Sequence, residues 1–193
     1  MRHVFLSASV LFFILLSATE MVVGVDLDSV VIGNVPHVQQ RPDFCGEACA
    51  EMFLAKLGHP QWNQSQVFNI SGLDPVSGRG CHTQELDVAL SRIGFDTGSV
   101  WYSVRARDAA RQLAAHFASL HADLKAGIPS IVCMHYDGQP QTTEHFRLVV
   151  GFDQQKDEVI FHEPAVAAGA YRRMKRTTFL ELWPLKYRTV VGP

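Results

Sequence analysis

A cysteine that follows a glutamine by six residues is the first feature of this sequence that could do chemistry. Cys45 stands at the predicted first turn of a helix, and Gln39 lies six residues before it. The unpaired amides of a helix N-terminus favour a thiolate, which predicts a lowered pKa for Cys45. Gly46 leaves the backbone beside the sulfur uncluttered, and the amide of Gln39 can donate a hydrogen bond to a nearby oxyanion. This pattern predicts a nucleophilic thiol.

A histidine and a carboxylate occur later in the chain at positions that suit such a thiol. His145 begins a predicted buried strand, and Glu163 follows the end of the next strand. A cysteine nucleophile needs a base, and the base needs an acceptor that fixes its tautomer and orientation. Because a hairpin brings two consecutive strands side by side, we expect His145 and Glu163 to lie close together.

Other residues compete for these two roles. His135 and His162 flank the same predicted strands and are the alternatives to His145 as the base. Asp153 is the alternative to Glu163 as the acid.

The predicted elements divide the chain into a helical half and a strand-rich half. Apolar periodicity predicts the following helices: 45–57, a short one around Val67, one over 83–93 with Thr83 as its N-cap, and 108–125. Short apolar runs bounded by turn residues predict strands over 130–136, 146–152, 159–161 and 187–191. Thr178 and Glu181 form a predicted capping box for a helix over 179–183. Helices followed by strands indicate an α+β domain.

The N-terminal residues have the layout of an export signal. Arg2 and His3 form a cationic start, and an apolar run follows over residues 4–16. We therefore expect residues 1–24 to be a signal peptide and residues 25–193 to be one secreted or periplasmic domain, without stable membrane insertion. The alternative is an uncleaved membrane anchor, because residues 4–25 are about long enough to span a bilayer.

The charge balance excludes one class of partner. The chain has Lys+Arg 17 and Asp+Glu 19, a formal net charge of −2, so it has no basic surplus for binding nucleic acid. One dense basic cluster is present, formed by Arg172, Arg173, Lys175 and Arg176. It predicts a solvated hairpin face, with recognition of an acidic substrate as the alternative.

Four cysteines in an exported domain suggest two disulfides. If Cys45 stays free, at most one pair forms, and Cys49–Cys81 and Cys81–Cys133 are the two candidates. A zinc site at Cys45, Cys49, Cys81 and His82 is disfavoured because no cysteine pair two residues apart is present. We expect no metal and no organic cofactor.

The ordered set of motifs resembles a known family over about residues 35–191. The matching features are Gln39 with the run 45–48, a helix ending at Gly58, the run 127–132, His145 leading a strand to Asp153, Glu163-Pro164, Phe179 and Trp183. Together they resemble the papain-like cysteine peptidases that remove double-glycine leaders from bacteriocins, and their stand-alone relatives. The resemblance implies a papain-like fold in which a helical N-terminal half packs on an antiparallel sheet.

The resemblance also implies roles for individual residues. Cys45 would be the nucleophile, His145 its base and later its acid, and Gln39 the oxyanion donor. The family usually has aspartate where this chain has Glu163, which would be the orienting acid. Since the leader-processing enzymes are joined to a transporter and this chain has no such segments, the double-glycine specificity is not carried over.

The residues and the resemblance together predict a cysteine peptidase that acts on a peptide or protein substrate through a thioester. Two alternatives stay open. The same apparatus can pass the acyl group to an amine or thiol, and a papain-like module can bind peptide or glycan without catalysis.

Overall fold

The computed structural model of the chain describes residues 27–98, 100, 106–138, 144–183 and 187–189. Helices dominate the first part of this region and strands the second, which confirms the predicted α+β class. The α-helices are α1 (Cys45–Lys56), α2 (Gln64–Ser71), α3 (Thr83–Ile93), α4 (Ala109–Lys125) and α5 (Arg176–Leu182). The strands are β1 (Val30–Val31), β2 (Ser130–His135), β3 (Glu144–Asp153), β4 (Glu158–His162), β5 (Arg172–Lys175) and β6 (Tyr187–Thr189).

Helix α1 is the central helix of the core. Its residues Ala48, Met52 and Phe53 are fully buried, and it packs against β2 and β3 as well as α2 and α3. A helix that is apolar on most of its circumference has to be buried, which explains its central place. Gly58 follows it with a positive φ of 90°, a conformation that glycine adopts at little cost.

The strands form one antiparallel sheet in the order β5-β4-β3-β2-β6, and β1 pairs with β3. Strand β3 lies in the middle and is buried from His145 to Phe152. A strand that is covered along its length reads as a continuous apolar run, which is why the sequence pattern revealed it. His145, Arg147 and Glu144 at its start are therefore held by the best-supported part of the sheet.

Several predicted boundaries differ from the observed ones. Helix α3 begins at Thr83, but its N-cap is His82, whose backbone N–H donates to Glu85 at 2.8 Å. Helix α5 begins at Arg176 after Lys175, so the capping box predicted at Thr178 is wrong. In both helices, the position of the preceding segment determines which residue becomes the N-cap. Strands β1 and β5 were not predicted because two or four partly exposed residues carry no apolar period.

Two predictions fall on parts of the chain that the structure does not describe. The predicted signal at residues 1–24 lies outside the described residues, as do residues 190–191 of the predicted last strand. Within the described part of the chain, no helix is long and apolar enough to cross a membrane.

Candidate active site

The structure brings His145 and Glu163 together at the start of β3 and just after β4. Nε2 of His145 lies 2.5 Å from Oε1 of Glu163, and the two residues are only 6% and 5% exposed. The strand pairing explains the contact, because Leu148 of β3 faces His162 of β4 and sets the register. The predicted proximity of a histidine and an acid across this hairpin is observed.

Glu163 is held as a carboxylate by several donors. Burial raises its pKa, but the hydrogen bond from His145, the charges of His145 and Arg147, and the backbone N–H of Ala165 outweigh burial and lower the pKa from 4.5 to about 2. An ionised carboxylate can only accept hydrogen bonds. Nε2 of His145 therefore carries the proton of this contact, which leaves Nδ1 of a neutral ring as the nitrogen that can accept another proton.

The backbone around Glu163 is also fixed. Its N–H donates to the carbonyl of Gly169 at 2.9 Å, and its own carbonyl accepts from Nε2 of His37 at 3.0 Å. A Cβ at position 169 would come within 1.9 Å of the Glu163 carbonyl oxygen, so only glycine fits there. The acid is thus positioned by both its side chain and its main chain.

Cys45 begins α1 and lies against the strand that carries His145. The backbone N–H of Phe146 donates to the Cys45 sulfur, and a Cβ at Gly46 would come within 3.2 Å of the Phe146 ring. The structure therefore brings the thiol to the residue next to His145.

The ionisation of Cys45 differs from the sequence prediction. Burial and the charge of Glu47 raise its pKa to about 11, although the backbone N–H groups of Phe146, Gly46 and Cys45 oppose this. This is opposite to the predicted lowering, because burial of the half-buried thiol outweighs the effect of the helix N-terminus. A pKa of about 11 favours the thiol form of Cys45 at neutral pH.

Gln39 belongs to a segment that runs beside Glu163. Its side chain is exposed, and its backbone carbonyl accepts from Nε2 of Gln64 at 3.2 Å. The next residue, Gln40, donates its backbone N–H to the carbonyl of Pro164 at 2.9 Å. The segment that leads to Cys45 therefore runs beside the Glu163-Pro164 turn.

Of the three competing residues, only Asp153 is far from the His145–Glu163 pair; His162 directly precedes Glu163, and the carbonyl of His135 accepts from Arg147 at 3.2 Å. Asp153 ends β3, eight residues after His145 and so about 26 Å away along the strand, where it pairs with Arg173 at 2.7 Å. His162 is fully buried, with its ring centroid 4.6 Å from that of Tyr171. His135 sits opposite Glu144 in the β2–β3 register.

Sequence reasoning missed Arg147, a buried cation of this site. Its Nε donates to Oε2 of Glu163 at 2.8 Å, and its terminal nitrogens donate to the carbonyls of His135 and Tyr136 at 3.2 Å and 2.8 Å. The signal that could have found it is the spacing of two from His145, which puts both side chains on the same face of a strand.

A cavity of about 260 Å³ opens beside the residues that precede Cys45. Phe44 and Phe68 stack there with ring centroids 5.0 Å apart. The nearby guanidinium of Arg79 is neutralised by Glu85 at 2.8 Å. The cavity is lined by Pro42, Asp43, Phe44, Phe68, Pro75, Gly78 and Arg79.

The remaining cysteines, Cys49, Cys81 and Cys133, lie in different elements of the fold. All four cysteines lie within the described residues and none is bonded to another, so neither candidate disulfide forms. They occupy separate positions in a helix, a loop and a strand, and Cys49, Cys81 and Cys133 are buried. The described residues contain no cluster of three side chains that could hold a metal ion.

Three of the four residues of the basic cluster pair with nearby acids, and the fourth, Arg172, is exposed. Arg173 pairs with Asp153 at 2.7 Å, Lys175 with Glu158 at 3.1 Å and Arg176 with Asp157 at 2.8 Å. This arrangement agrees with a solvated hairpin face rather than with a site for an acidic ligand.

A helix that begins with a cysteine, packed on an antiparallel sheet that carries a histidine–acid pair, defines a papain-like fold. The chain belongs to the Peptidase_C39 like family, whose model matches residues 32–190. Membership supports a cysteine-peptidase type of function. No curated protein matches the chain.

Proposed function

We propose that this protein is an exported cysteine peptidase in which Cys45 is the nucleophile, His145 the base and Glu163 the orienting acid. One observation carries the proposal: the buried 2.5 Å contact between His145 and Glu163 adjoins Phe146, whose N–H donates to the Cys45 sulfur. This is the order of groups that an activated thiol requires. Family membership points to the same class of chemistry.

The reaction follows from the protonation states of the site. The Cys45 sulfur attacks the peptide carbonyl while its proton passes to Nδ1 of His145. The C–N bond then breaks as His145 returns that proton to the leaving amine, which leaves a thioester on Cys45. Water adds to the thioester, gives a proton to His145, and the C–S bond breaks to release the acid and restore the thiol.

The other residues support these steps. Glu163 keeps the proton on Nε2 of His145 and stabilises the imidazolium that forms after each transfer. The amide of Gln39 and the backbone N–H of Cys45 are the proposed donors to the oxyanion. Arg147 keeps Glu163 ionised through its contact at 2.8 Å.

The proposed location is outside the cytoplasm. The support is the signal-like pattern of residues 1–24 together with a family match that begins at residue 32. N-terminal sequencing of the released protein tests this, and we expect a new N-terminus near residue 25. An intact Met1 in the membrane fraction would contradict cleavage.

The activity is tested by incubating the protein with a complex mixture of peptides and identifying new termini by mass spectrometry. We expect new termini with the wild type and none above background with C45A. The matched control is C49A, which removes a buried thiol one helical turn away and should retain cleavage. Cleavage that persists in C45A would refute the proposed nucleophile.

The same experiment separates the two other functions. An added primary amine that appears on the new C-termini would identify acyl transfer rather than hydrolysis. Binding of peptides without any new terminus would identify a non-catalytic module.

A further inference from the structure

The third residue of α1, Glu47, has a fully buried carboxyl group. Glu47 is 0% exposed, and its Oε1 accepts the backbone N–H of Cys81 at 2.7 Å. Its Oε2 is buried and has no hydrogen-bond partner within the part of the chain that the structure describes. Burial of a polar oxygen without a partner is costly, so a position that keeps one calls for an explanation.

Glu47 lies where the loop before α3 meets the first turn of α1. A Cβ at Gly80 would come within 1.9 Å of the Asp43 carbonyl and 3.1 Å of Oε2 of Glu47. A Cβ at Gly46 would lie 3.5 Å from the Cys81 carbonyl and 3.2 Å from the Phe146 ring. The turn that carries Cys45 is therefore clamped between the backbone at 80–81 and strand β3.

We propose that Glu47 is a positioning residue of this site: its buried carboxyl anchors the backbone at 80–81 against the first turn of α1 and sets the electrostatic environment of Cys45. The inference rests on the proposed role of Cys45 as the nucleophile. Glu47 acts through Cys45 and the 80–81 backbone and does not contact the substrate.

The charges around Glu47 support this role. Glu47 raises the pKa of Cys45 in addition to the larger effect of burial. Burial also raises the pKa of Glu47 itself. The backbone N–H and the thiol of Cys81 oppose this rise, and Glu85 adds to it. Arg79 is the cation that faces it, and its charge is paired with Glu85 at 2.8 Å.

The other groups that face Cys45 come from its own helix and from β3. Cys49 lies one turn further along α1 and is fully buried. His145 is the neighbour of Phe146 on β3 and is the group that would take the Cys45 proton. A carboxyl next to the thiol delays ionisation in the resting protein, so the thiolate forms mainly when His145 accepts the proton.

The test is an NMR titration of the Cys45 Cβ in full-length protein labelled with ¹³C at cysteine Cβ. Glu47→Gln keeps an oxygen acceptor for the Cys81 N–H but removes the charge. We expect the Cys45 midpoint to fall by about half a pH unit or more, which is about threefold more thiolate at a given pH. Loss of the charge moves this midpoint even when the thiol stays as buried as in the wild type.

Glu51→Gln is the matched control, since it removes one negative charge from the same helix more than a turn away. Its midpoint should equal that of the wild type. A shift in E47Q no larger than that in E51Q would overturn the inference. The peptide assay tests the proposed function separately. If the wild-type protein cleaves no peptide while the Cys45 midpoint shifts in E47Q, the proposed function is refuted and the electrostatic role of Glu47 stands.

A measurement on the wild-type protein covers the case in which E47Q does not fold. The Cys81 amide proton donates to Glu47 at 2.7 Å, so its chemical shift reports the titration of that carboxyl. We expect one inflection above 4.5, the ordinary pKa of a glutamate. A flat curve would overturn the inference, because it would mean that no titrating carboxyl contacts this amide.

Discussion

Arg147 and His145 contact different oxygens of the same carboxylate. Nε of Arg147 lies 2.8 Å from Oε2 of Glu163, and Nε2 of His145 lies 2.5 Å from Oε1. The acid is thus shared between a permanent cation and a group that changes charge during the proposed reaction. This arrangement keeps Glu163 ionised whether or not His145 carries a second proton.

Removal of Arg147 should destabilise the protein strongly. R147M leaves the buried Glu163 carboxylate without its permanent counter-ion, and we expect a loss of about 3 kcal/mol in the free energy of unfolding. Urea unfolding at neutral pH measures it. The control is R173M, which breaks a solvent-screened pair with Asp153 and should cost far less stability than R147M. Equal losses would contradict the role of burial.

Glu163 should make the protein sensitive to acid. Its folded pKa of about 2 lies below its ordinary value of 4.5, so its stabilisation is present above 4.5 and is lost as the pH falls toward 2. Urea midpoints across this range should fall less steeply in E163Q than in the wild type. E181Q, a change of the same type at an exposed helical position, should keep the wild-type slope.

His162 should add a second loss of stability at a higher pH. Burial, with a smaller effect of His37, lowers its pKa from 6.5 to about 4, so the unfolded chain binds a proton that the folded protein excludes. Stability should therefore fall as the pH drops from 6.5 to about 4, by up to about 1.4 kcal/mol per pH unit. H162F should remove this slope and H59Q should retain it. If stability depends on pH in H162F as it does in the wild type, a group other than His162 causes the loss.

The choice of acid can be tested kinetically. We expect E163A to lower kcat/KM for peptide cleavage at least about tenfold, because His145 loses the group that fixes its tautomer. D153N should leave kcat/KM near the wild-type value, since Asp153 pairs with Arg173 at the far end of β3. If E163A stays within a few-fold of the wild type, Glu163 is not part of the triad.

Gly169 should not tolerate a side chain. In G169A the new methyl group would overlap the Glu163 carbonyl, and we expect a loss of about 2 kcal/mol or more together with reduced cleavage. G33A is the control, since a Cβ there meets nothing within 4 Å. Thermal unfolding of the two variants compares them directly, and equal stabilities would show that the loop adapts.

Much of the fold could be predicted from the sequence because its signals are local. The apolar runs of β2, β3 and β4 and the helical periods of α1, α3 and α4 follow from burial of repeating positions. The partners of caps and edge strands are not local. Helix α3 is capped by His82 and not by Thr83, and β1 and β5 form strands because they pair with β3 and β4. These features depend on contacts with other segments, which the local sequence pattern does not encode.

The candidate site divides in the same way. The sequence alone predicted the residues that we propose carry the chemistry, because a cysteine at a helix start, a histidine at a strand start and an acid after the next strand are recognisable from residue type and spacing. Only the tertiary structure decided how they ionise and with whom they pair. Arg147, Glu47 and the raised pKa of Cys45 follow from burial and from contacts between distant segments, and these physical causes exist only once the chain has folded.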